Sequence, residues 1–278
     1  MCTVIILRRK ESPWPLLLAA NRDELRSRPW RPPARHWRDR PEVVAGLDVL
    51  AGGSWLGIND HGVVAAVLNR VGTLGPAAGK RSRGELVLEA LDHADAATAA
   101  RALADLEPDA YRPFNLVIAD PQDAFWLRHA GRLPTFGYRT PGGAWREVEP
   151  VRMPQAGTPS RPETRSPAVE CWPMPEGCSM LTARDLNDPS SARVRHFLPQ
   201  FEGAKPPDPG ADDWASWIEL LGQRRGVDDD PTNAMAIVTG GDYGTVCSTL
   251  LALPATGEPV MKFAAGSPDQ APFELVAL

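Results

Sequence analysis

The chain has few of the residues that mark several classes of protein. It holds four cysteines, five histidines and three tyrosines in 278 residues, and 30 lysines and arginines stand against 35 aspartates and glutamates, for a net charge of −5. Without a basic excess it offers no stripe for phosphate backbones, and we expect no nucleic-acid partner. The first apolar stretch ends at Arg8, too early for a signal peptide, and we expect no membrane span.

The cysteines are too few and too unevenly spaced for a disulfide framework or a paired-cysteine zinc site. They are Cys2, Cys171, Cys178 and Cys247. The histidines show no spacing typical of metal ligands. We therefore expect reduced thiols in a cytoplasmic protein, with no metal and no cofactor.

Proline is abundant, with 29 residues, and many of them fall between about 133 and 175, where apolar periodicity disappears. Strand-like patterns resume on both sides of this stretch. The composition therefore predicts a long surface excursion and not a linker between domains. We expect residues 1–278 to form a single domain.

Short β-branched or aliphatic runs separated by turn residues predict strands. The predicted strands cover residues 3–7, 16–20, 43–49, 54–58, 63–68, 114–119, 124–128, 179–182, 234–238, 246–253, 260–264 and 273–278. A capping box at Ser82 and Glu85 predicts a helix start, and helical periodicity extends over 86–94, 96–106, 192–201 and 213–221. This order predicts an α+β protein in which two antiparallel sheets carry helices on their outer faces.

A cysteine directly after the initiator methionine is chemically unusual. Methionine aminopeptidase removes Met1 when the second residue is small, which leaves a free α-amine on the residue that carries the thiol. That amine, with a pKa of about 7.7–8.0, can take the proton of the Cys2 thiol. The alternative is that Cys2 is a small second residue without a catalytic role.

Four motifs occur in order over roughly the first 130 residues: "MCT" leading into a strand, "AANRDE", "GGSWLGINDHGVVAAVLNR" and "SRGELV". Together they resemble the NRDE-motif family, also called the transport and Golgi organisation protein 2 family, and the resemblance resumes at "DYGTVCSTLLAL". It implies an N-terminal nucleophile hydrolase fold with four αββα layers. Such a fold is related to cysteine enzymes such as choloylglycine hydrolases and penicillin V acylase.

The resemblance also implies roles for particular residues. Cys2 matches the nucleophile, Asp23 the acid that contacts the new α-amine, and Asn69 the amide that donates to the oxyanion. For Asp23 the alternative is a turn-capping role. Arg22 is expected to hold the thiolate or a substrate carboxylate, and a structural salt bridge with Glu24 is the alternative.

Two further residues are expected to contact the substrate. Asn21 lies within the motif, and Trp55 would line an apolar acyl pocket, with ordinary core packing as the alternative for the tryptophan.

The sequence also departs from the family pattern. Thr182 and Ala183 stand where relatives have Ser-Asn, so that Asn187 either takes over the role of that asparagine or the role is absent. Val246 stands where many relatives have arginine. Each departure removes a polar group from the expected site.

The leading hypothesis is a hydrolase of carbon–nitrogen bonds, an N-terminal cysteine amidohydrolase acting on an amide or acyl bond of an unidentified small molecule. The alternative is a non-catalytic protein that binds and traffics haem or an acyl-CoA or other lipid. A third reading is a degenerate relative that keeps the fold for interactions.

Overall fold

The structure is a computed structural model. It describes residues 2–131, 137–139, 145–147, 169–226 and 230–278, the second and third of these segments by their backbone only.

One antiparallel sheet of six strands is built from the two ends of the chain. Its order is β12-β1-β2-β13-β14-β15. The strands are β1 (Thr3–Arg8), β2 (Leu16–Leu25), β12 (Gly177–Leu181), β13 (Tyr243–Leu253), β14 (Val260–Ala264) and β15 (Glu274–Leu275). The first strand is therefore an inner strand of this sheet, with β12 on one side and β2 on the other.

A second antiparallel sheet of seven strands comes from the middle of the sequence. Its order is β11-β8-β7-β6-β5-β4-β3. The strands are β3 (Trp30–Ala34), β4 (Val43–Asp48), β5 (Leu56–Asn59), β6 (Val64–Asn69), β7 (Phe114–Ala119), β8 (Ala124–His129) and β11 (Glu170–Pro173). Two short strands, β9 (Gly137–Arg139) and β10 (Trp145–Glu147), pair with each other.

The described helices cover the outer faces of the two sheets. They are α1 (Gly84–Leu91), α2 (Ala96–Ala104), α3 (Ala192–Gly203) and α4 (Ala215–Leu221), with single 3-10 turns at Pro108–Ala110, Pro209–Ala211 and Pro231–Asn233. The Asp95 side chain accepts from the Thr98 N–H and caps α2, and Ser191 caps α3 in the same way.

Strand alternation explains how these elements form layers. Along β2, Leu16 and Leu18 face the other sheet, whereas Leu17 and Ala19 face α3 and α4. On the second sheet, Ala65 of β6 likewise faces α1 and α2. Three large buried clusters result among the described residues, one between the sheets and one beneath each helix pair. The predicted four-layer αββα architecture is therefore confirmed.

Several local predictions are wrong. The capping box does not form, because Arg83 is the N-cap of α1 without a side-chain cap, and Glu85 instead accepts from Arg81 at 2.8 Å. Residues 234–238 are no strand, and residues 273–278 shrink to the two-residue β15. The strand β3 was not predicted, because its two prolines masked it; its position at the sheet edge tolerates them.

Most of the predicted surface excursion at 133–175 lies outside the described residues. The prediction is wrong for the C-terminal part of this stretch, because Glu170–Pro173 form the edge strand β11 and Met174 is buried between the sheets. No described helix combines the length and the apolar character that crossing a bilayer requires.

Candidate active site

Cys2 lies at the head of the inner strand β1, against the motif segment of β2. Thr3 pairs with Asn21, and continuing the antiparallel register by one residue sets Cys2 opposite Arg22. The Cys2 sulfur accepts from the Asp23 N–H at 3.4 Å and donates to the Asp23 carbonyl at 3.6 Å. The strand β2 does not end before the motif but continues through residues 21–25. The motif's main chain therefore runs beside Cys2 and holds its thiol.

The surroundings of Cys2 disfavour its thiolate. Burial raises the pKa of the thiol and the charge of Asp23 raises it further, whereas the Asp23 N–H and Arg22 lower it by less. At neutral pH the sulfur is therefore protonated unless a base takes the proton. A free α-amine on the same residue would be such a base.

Arg22 is a buried cation beside the thiol. Its guanidinium lies 4.3 Å from the centroid of the Trp55 ring, and Nη2 donates to an Asp48 carboxylate oxygen at 3.4 Å. Nη1 is buried and makes no hydrogen bond within the described part of the chain. A buried donor without a partner carries a desolvation cost of about 1–3 kcal/mol, so this atom is suited to an oxygen supplied by a ligand.

Cys2 and Arg22 line one small cavity between the sheets. Its volume is about 20 Å³, room for about one water molecule. The lining residues are Cys2, Thr3, Val4, Ala20, Asn21, Arg22, Trp55, Leu56, Ala66, Val67, Leu68, Cys247 and Thr249. A substrate can enter only if some of these side chains move.

Cys247 shares this cavity, but it cannot readily form a disulfide with Cys2. Both residues flank Arg22, Cys2 on β1 and Cys247 on β13. Two strand spacings separate them, roughly 9.6 Å, which exceeds the reach of a disulfide. Both cysteines are free thiols.

The Asp23 carboxylate lies on the opposite face of the sheet from the sulfur, in a buried network. Oδ1 accepts from the Thr245 hydroxyl at 2.6 Å, and Oδ2 faces Arg193 Nη1 at 3.3 Å. The same Nη1 donates to the Thr3 hydroxyl at 2.7 Å, and Nη2 donates to the Thr232 carbonyl at 2.7 Å. The carboxylate is therefore fixed beside the start of β1, since Arg193 connects it to Thr3.

Arg193 and Thr245 were missed by sequence reasoning. The predicted helix over 192–201 contains Arg193 within its buried stripe, alongside Val194 and Phe197. An arginine on the apolar face of a helix was the available signal, because a buried cation needs a buried partner. The sequence alone gave no indication that this partner would be Asp23, 170 residues away.

Asn21 does not fit the predicted role in substrate binding. Its side chain is buried on the helix face of β2, where Nδ2 donates to the carbonyls of Leu221 and Met235 at 3.0 and 2.9 Å. Its Oδ1 accepts from the Ser248 hydroxyl at 2.7 Å. Both amide hydrogens are used within the protein, so Asn21 ties β2 to α4 and to the segment that follows it.

Asn69 is not brought to the thiol. It ends β6 opposite Phe114, whose ring packs under α1 and α2, so the register puts Asn69 on the helix side of its sheet. Val67 and Leu68 line the cavity at Cys2, and Asn69 does not. Among the described residues its amide makes no hydrogen bond.

The positions that depart from the family pattern are apolar or occupied elsewhere. Asn187 is held at φ 55°, where its Oδ1 accepts from the Met180 N–H at 2.7 Å, which leaves it tied to β12. Ala183 and Val246 are buried, and the Thr182 hydroxyl is buried without a partner in the described structure. No described group of three or more metal-ligating side chains comes together.

The layered fold, with a cysteine at the head of an inner strand, is that of the N-terminal nucleophile hydrolases. The structure is similar to a Caenorhabditis elegans N-acylethanolamine-hydrolyzing acid amidase ortholog, with a TM-score of 0.52 and 13% identity over 99% of this chain and 100% of that one. A likeness at this identity concerns the fold alone.

The chain belongs to the Transport and Golgi organisation 2 family, whose sequence profile matches residues 1–143. It is 40% identical over 110 residues to a Transport and Golgi organization protein 2 homolog of Bos taurus, and 39% identical over 110 residues to that of Homo sapiens. Each match spans 38% of this chain and 38% of the relative's own length.

Proposed function

We propose that this protein is an N-terminal cysteine amidohydrolase, which hydrolyses an amide or related acyl bond of a small molecule once Met1 has been removed. The observation that carries the proposal is the position of Cys2, whose sulfur contacts the Asp23 main chain beside the buried Arg22. Its reduced thiols fit the cytoplasm, where we propose that it acts.

In the proposed reaction the α-amine of Cys2 takes the thiol proton, and the thiolate attacks the carbonyl carbon of the substrate. The amine then gives this proton to the leaving nitrogen as the carbon–nitrogen bond breaks, which leaves a thioester on Cys2. Water attacks the thioester and releases the carboxylic acid. Asp23, fixed by Arg193 and Thr245, holds the α-ammonium between the two proton transfers.

We propose that Arg22 and the Asp23 N–H, and not Asn69, stabilise the oxyanion of the tetrahedral intermediate. Both groups lie at the sulfur, and Arg22 Nη1 has no partner in the described structure. Removing one oxyanion donor lowers kcat by about 10²–10³-fold. Arg22→Met should show this loss, whereas Asn69→Ala should stay within about threefold of the unmodified protein. A large loss of kcat in Asn69→Ala, together with an active Arg22→Met, would show that Asn69 and not Arg22 stabilises the oxyanion.

A second candidate is binding without turnover, with haem or an acyl thioester as the ligand. It is favoured by the raised pKa of Cys2 and by the apolar residues at Ala183 and Val246, where relatives carry polar groups. A binding protein of this kind would keep its affinity for the ligand in Cys2→Ser. The amidohydrolase would lose turnover in the same variant.

Removal of Met1 tests the proposed function before any substrate is known. We expect the intact mass of the purified protein to lack one methionine, and limiting iodoacetamide at pH 7 to label Cys2 ahead of Cys171 and Cys178. Burial raises the pKa values of those two thiols to about 11 and about 12, so they should react slowly.

The matched control carries an alanine inserted between Met1 and Cys2, which leaves the thiol but moves the free amine to the preceding residue. Its Cys2 should be alkylated at least about tenfold more slowly at pH 7, because the thiol then lacks its base. Equal rates in the two proteins, or retention of Met1 in the unmodified chain, would contradict the mechanism.

A further inference from the structure

Arg83, near the proposed site, has a free edge: the Nε and Nη2 side of its guanidinium makes no hydrogen bond within the described structure. Arg83 is the half-buried N-cap of α1, and its Nη1 donates to the Thr73 hydroxyl at 2.9 Å and to the Pro113 carbonyl at 3.0 Å. Among the described residues the side chain also forms no salt bridge. Two neighbouring donors of one guanidinium are the geometry that binds a carboxylate with two parallel hydrogen bonds.

The start of α1 is fixed next to the cavity at Cys2. Gly84 packs against Gly53 so closely that a Cβ on Gly53 would lie 2.4 Å from the Gly84 carbonyl carbon. The Ser54 N–H donates to the Gly84 carbonyl at 3.0 Å, and Trp55, the next residue, lines the cavity. These contacts hold Arg83 on a rigid support.

Electrostatics agree with this proximity. Burial, and then the charge of Arg112, lower the pKa of Arg83 to about 10, while Cys2 and Glu24 act in the opposite direction. Arg83 is therefore within electrostatic range of the thiol, and it remains a cation at neutral pH.

The charges around the thiol balance except at Arg83 and Arg112. Asp48 and Glu24 face Arg22 and Arg28, with Arg28 Nε at 2.7 Å from Asp48. On the other face of the sheet, Asp23 faces Arg193, as described above. The nearby Arg112 donates to carbonyls of loop residues 72–76 and adds a further positive charge. The site thus has a positive balance.

We infer that the substrate of this site carries a carboxylate, which the free edge of Arg83 binds while the scissile carbonyl lies at Cys2. The inference rests on the proposed function for the chemistry at Cys2. Arg83 is accordingly a specificity-determining residue, and amides that bear a carboxylate are the expected substrate class.

Alkylation with two reagents of similar size tests this inference without a known substrate. The second-order rate of Cys2 modification is measured with anionic iodoacetate and with neutral iodoacetamide, by mapping of the N-terminal peptide. A synthetic peptide of residues 2–8 gives the reference ratio of the two rates. We expect the protein to favour iodoacetate by about tenfold relative to this peptide, and added salt to reduce that preference.

Variants assign the effect to Arg83. Arg83→Gln should bring the ratio to that of the peptide, Arg83→Lys should keep part of the preference, and Arg101→Gln, on the exposed face of α2, should leave it unchanged. If Arg83→Gln fails to fold, Arg83→Lys and the salt titration decide. A ratio in the unmodified protein equal to that of the peptide, or one unaffected by Arg83→Gln, would overturn the inference.

A turnover measurement separates this inference from the proposed function. An N-acylglycine and the N-acylethanolamine of the same chain length differ by the carboxylate, and kcat/KM should favour the acylglycine by about tenfold, less so in Arg83→Gln. Turnover of both amides without preference would overturn the inference about Arg83 but would still support the proposed amidohydrolase function. Turnover of neither, with a high iodoacetate ratio, would count against the amidohydrolase and support an anion site at Cys2.

Discussion

Cys2→Ala is expected to abolish amide hydrolysis while the protein remains folded. Loss of the nucleophile removes the covalent route, which in enzymes of comparable mechanism costs about 10⁶-fold in kcat. The thiol lies at the edge of the core, where it packs against the inter-sheet cluster and, among the described residues, hydrogen-bonds only to the Asp23 main chain. Its truncation should therefore change the free energy of unfolding by no more than about 1 kcal/mol. Turnover of an acyl amide and urea denaturation measure the two quantities.

Cys178→Ala is the matched control for this prediction. Cys178 is another partly buried, free cysteine of the same sheet, and it lies on β12, on the face covered by α3 and α4. We expect the control to keep full turnover. Hydrolysis that survives in Cys2→Ala would rule out Cys2 as the nucleophile.

Breaking the buried pair of Asp23 and Arg193 is expected to have the largest effect on stability. Their side chains are 0% and 4% exposed, and Arg193 also donates to Thr3 and Thr232. Removing one partner of such a pair costs about 3–5 kcal/mol, because the other charge stays buried without compensation. Arg193→Met should show a loss of this size in urea denaturation.

The exposed pair of Arg35 and Asp60 provides the control, because its charged atoms are 2.7 Å apart but its side chains are 39% and 55% exposed. Arg35→Met should cost less than about 1 kcal/mol. A double-mutant cycle with Asp23→Asn isolates the coupling between Asp23 and Arg193. Equal costs in Arg193→Met and Arg35→Met, or a coupling near zero, would show that the buried network does not hold the carboxylate.

Arg193→Met also bears on the chemistry. A carboxylate alone beside the Cys2 amine would raise the pKa of that amine, so that a smaller fraction of it is unprotonated at neutral pH, and the Arg193 guanidinium offsets that charge. In a variant that remains folded, the pH at which Cys2 alkylation reaches half its maximal rate should rise. A purely structural role would lower stability without moving this midpoint.

Most of the fold could be predicted because it depends on local patterns. Short, nearly continuous apolar runs identified the inner strands of both sheets, since each of these strands has apolar neighbours on both faces. Elements without that pattern were misjudged. Residues 234–237 are apolar and buried, but part of their backbone hydrogen-bonds to a side chain instead of a neighbouring strand, since the Ile237 N–H donates to the Thr245 hydroxyl.

The candidate site was predictable only in part, because register and not composition decides what a polar residue faces. Cys2 and Arg22 line the same inter-sheet cavity. Asn21 and Asp23, one residue to either side of Arg22, face the helices instead. Their side chains therefore bond to buried groups of the protein and not to a ligand in the cavity. Asn69 fails for the same reason, and Arg83 was hidden in a predicted capping box that the structure does not form.

The most direct test of the central claim is to trap the acyl group on the enzyme. The processed protein is incubated with an acyl para-nitroanilide, quenched in acid and examined by intact mass and peptide mapping. The mechanism predicts a mass increase equal to one acyl group, located on the peptide of residues 2–8. Turnover without an adduct on Cys2, or an adduct on another cysteine alone, would contradict it.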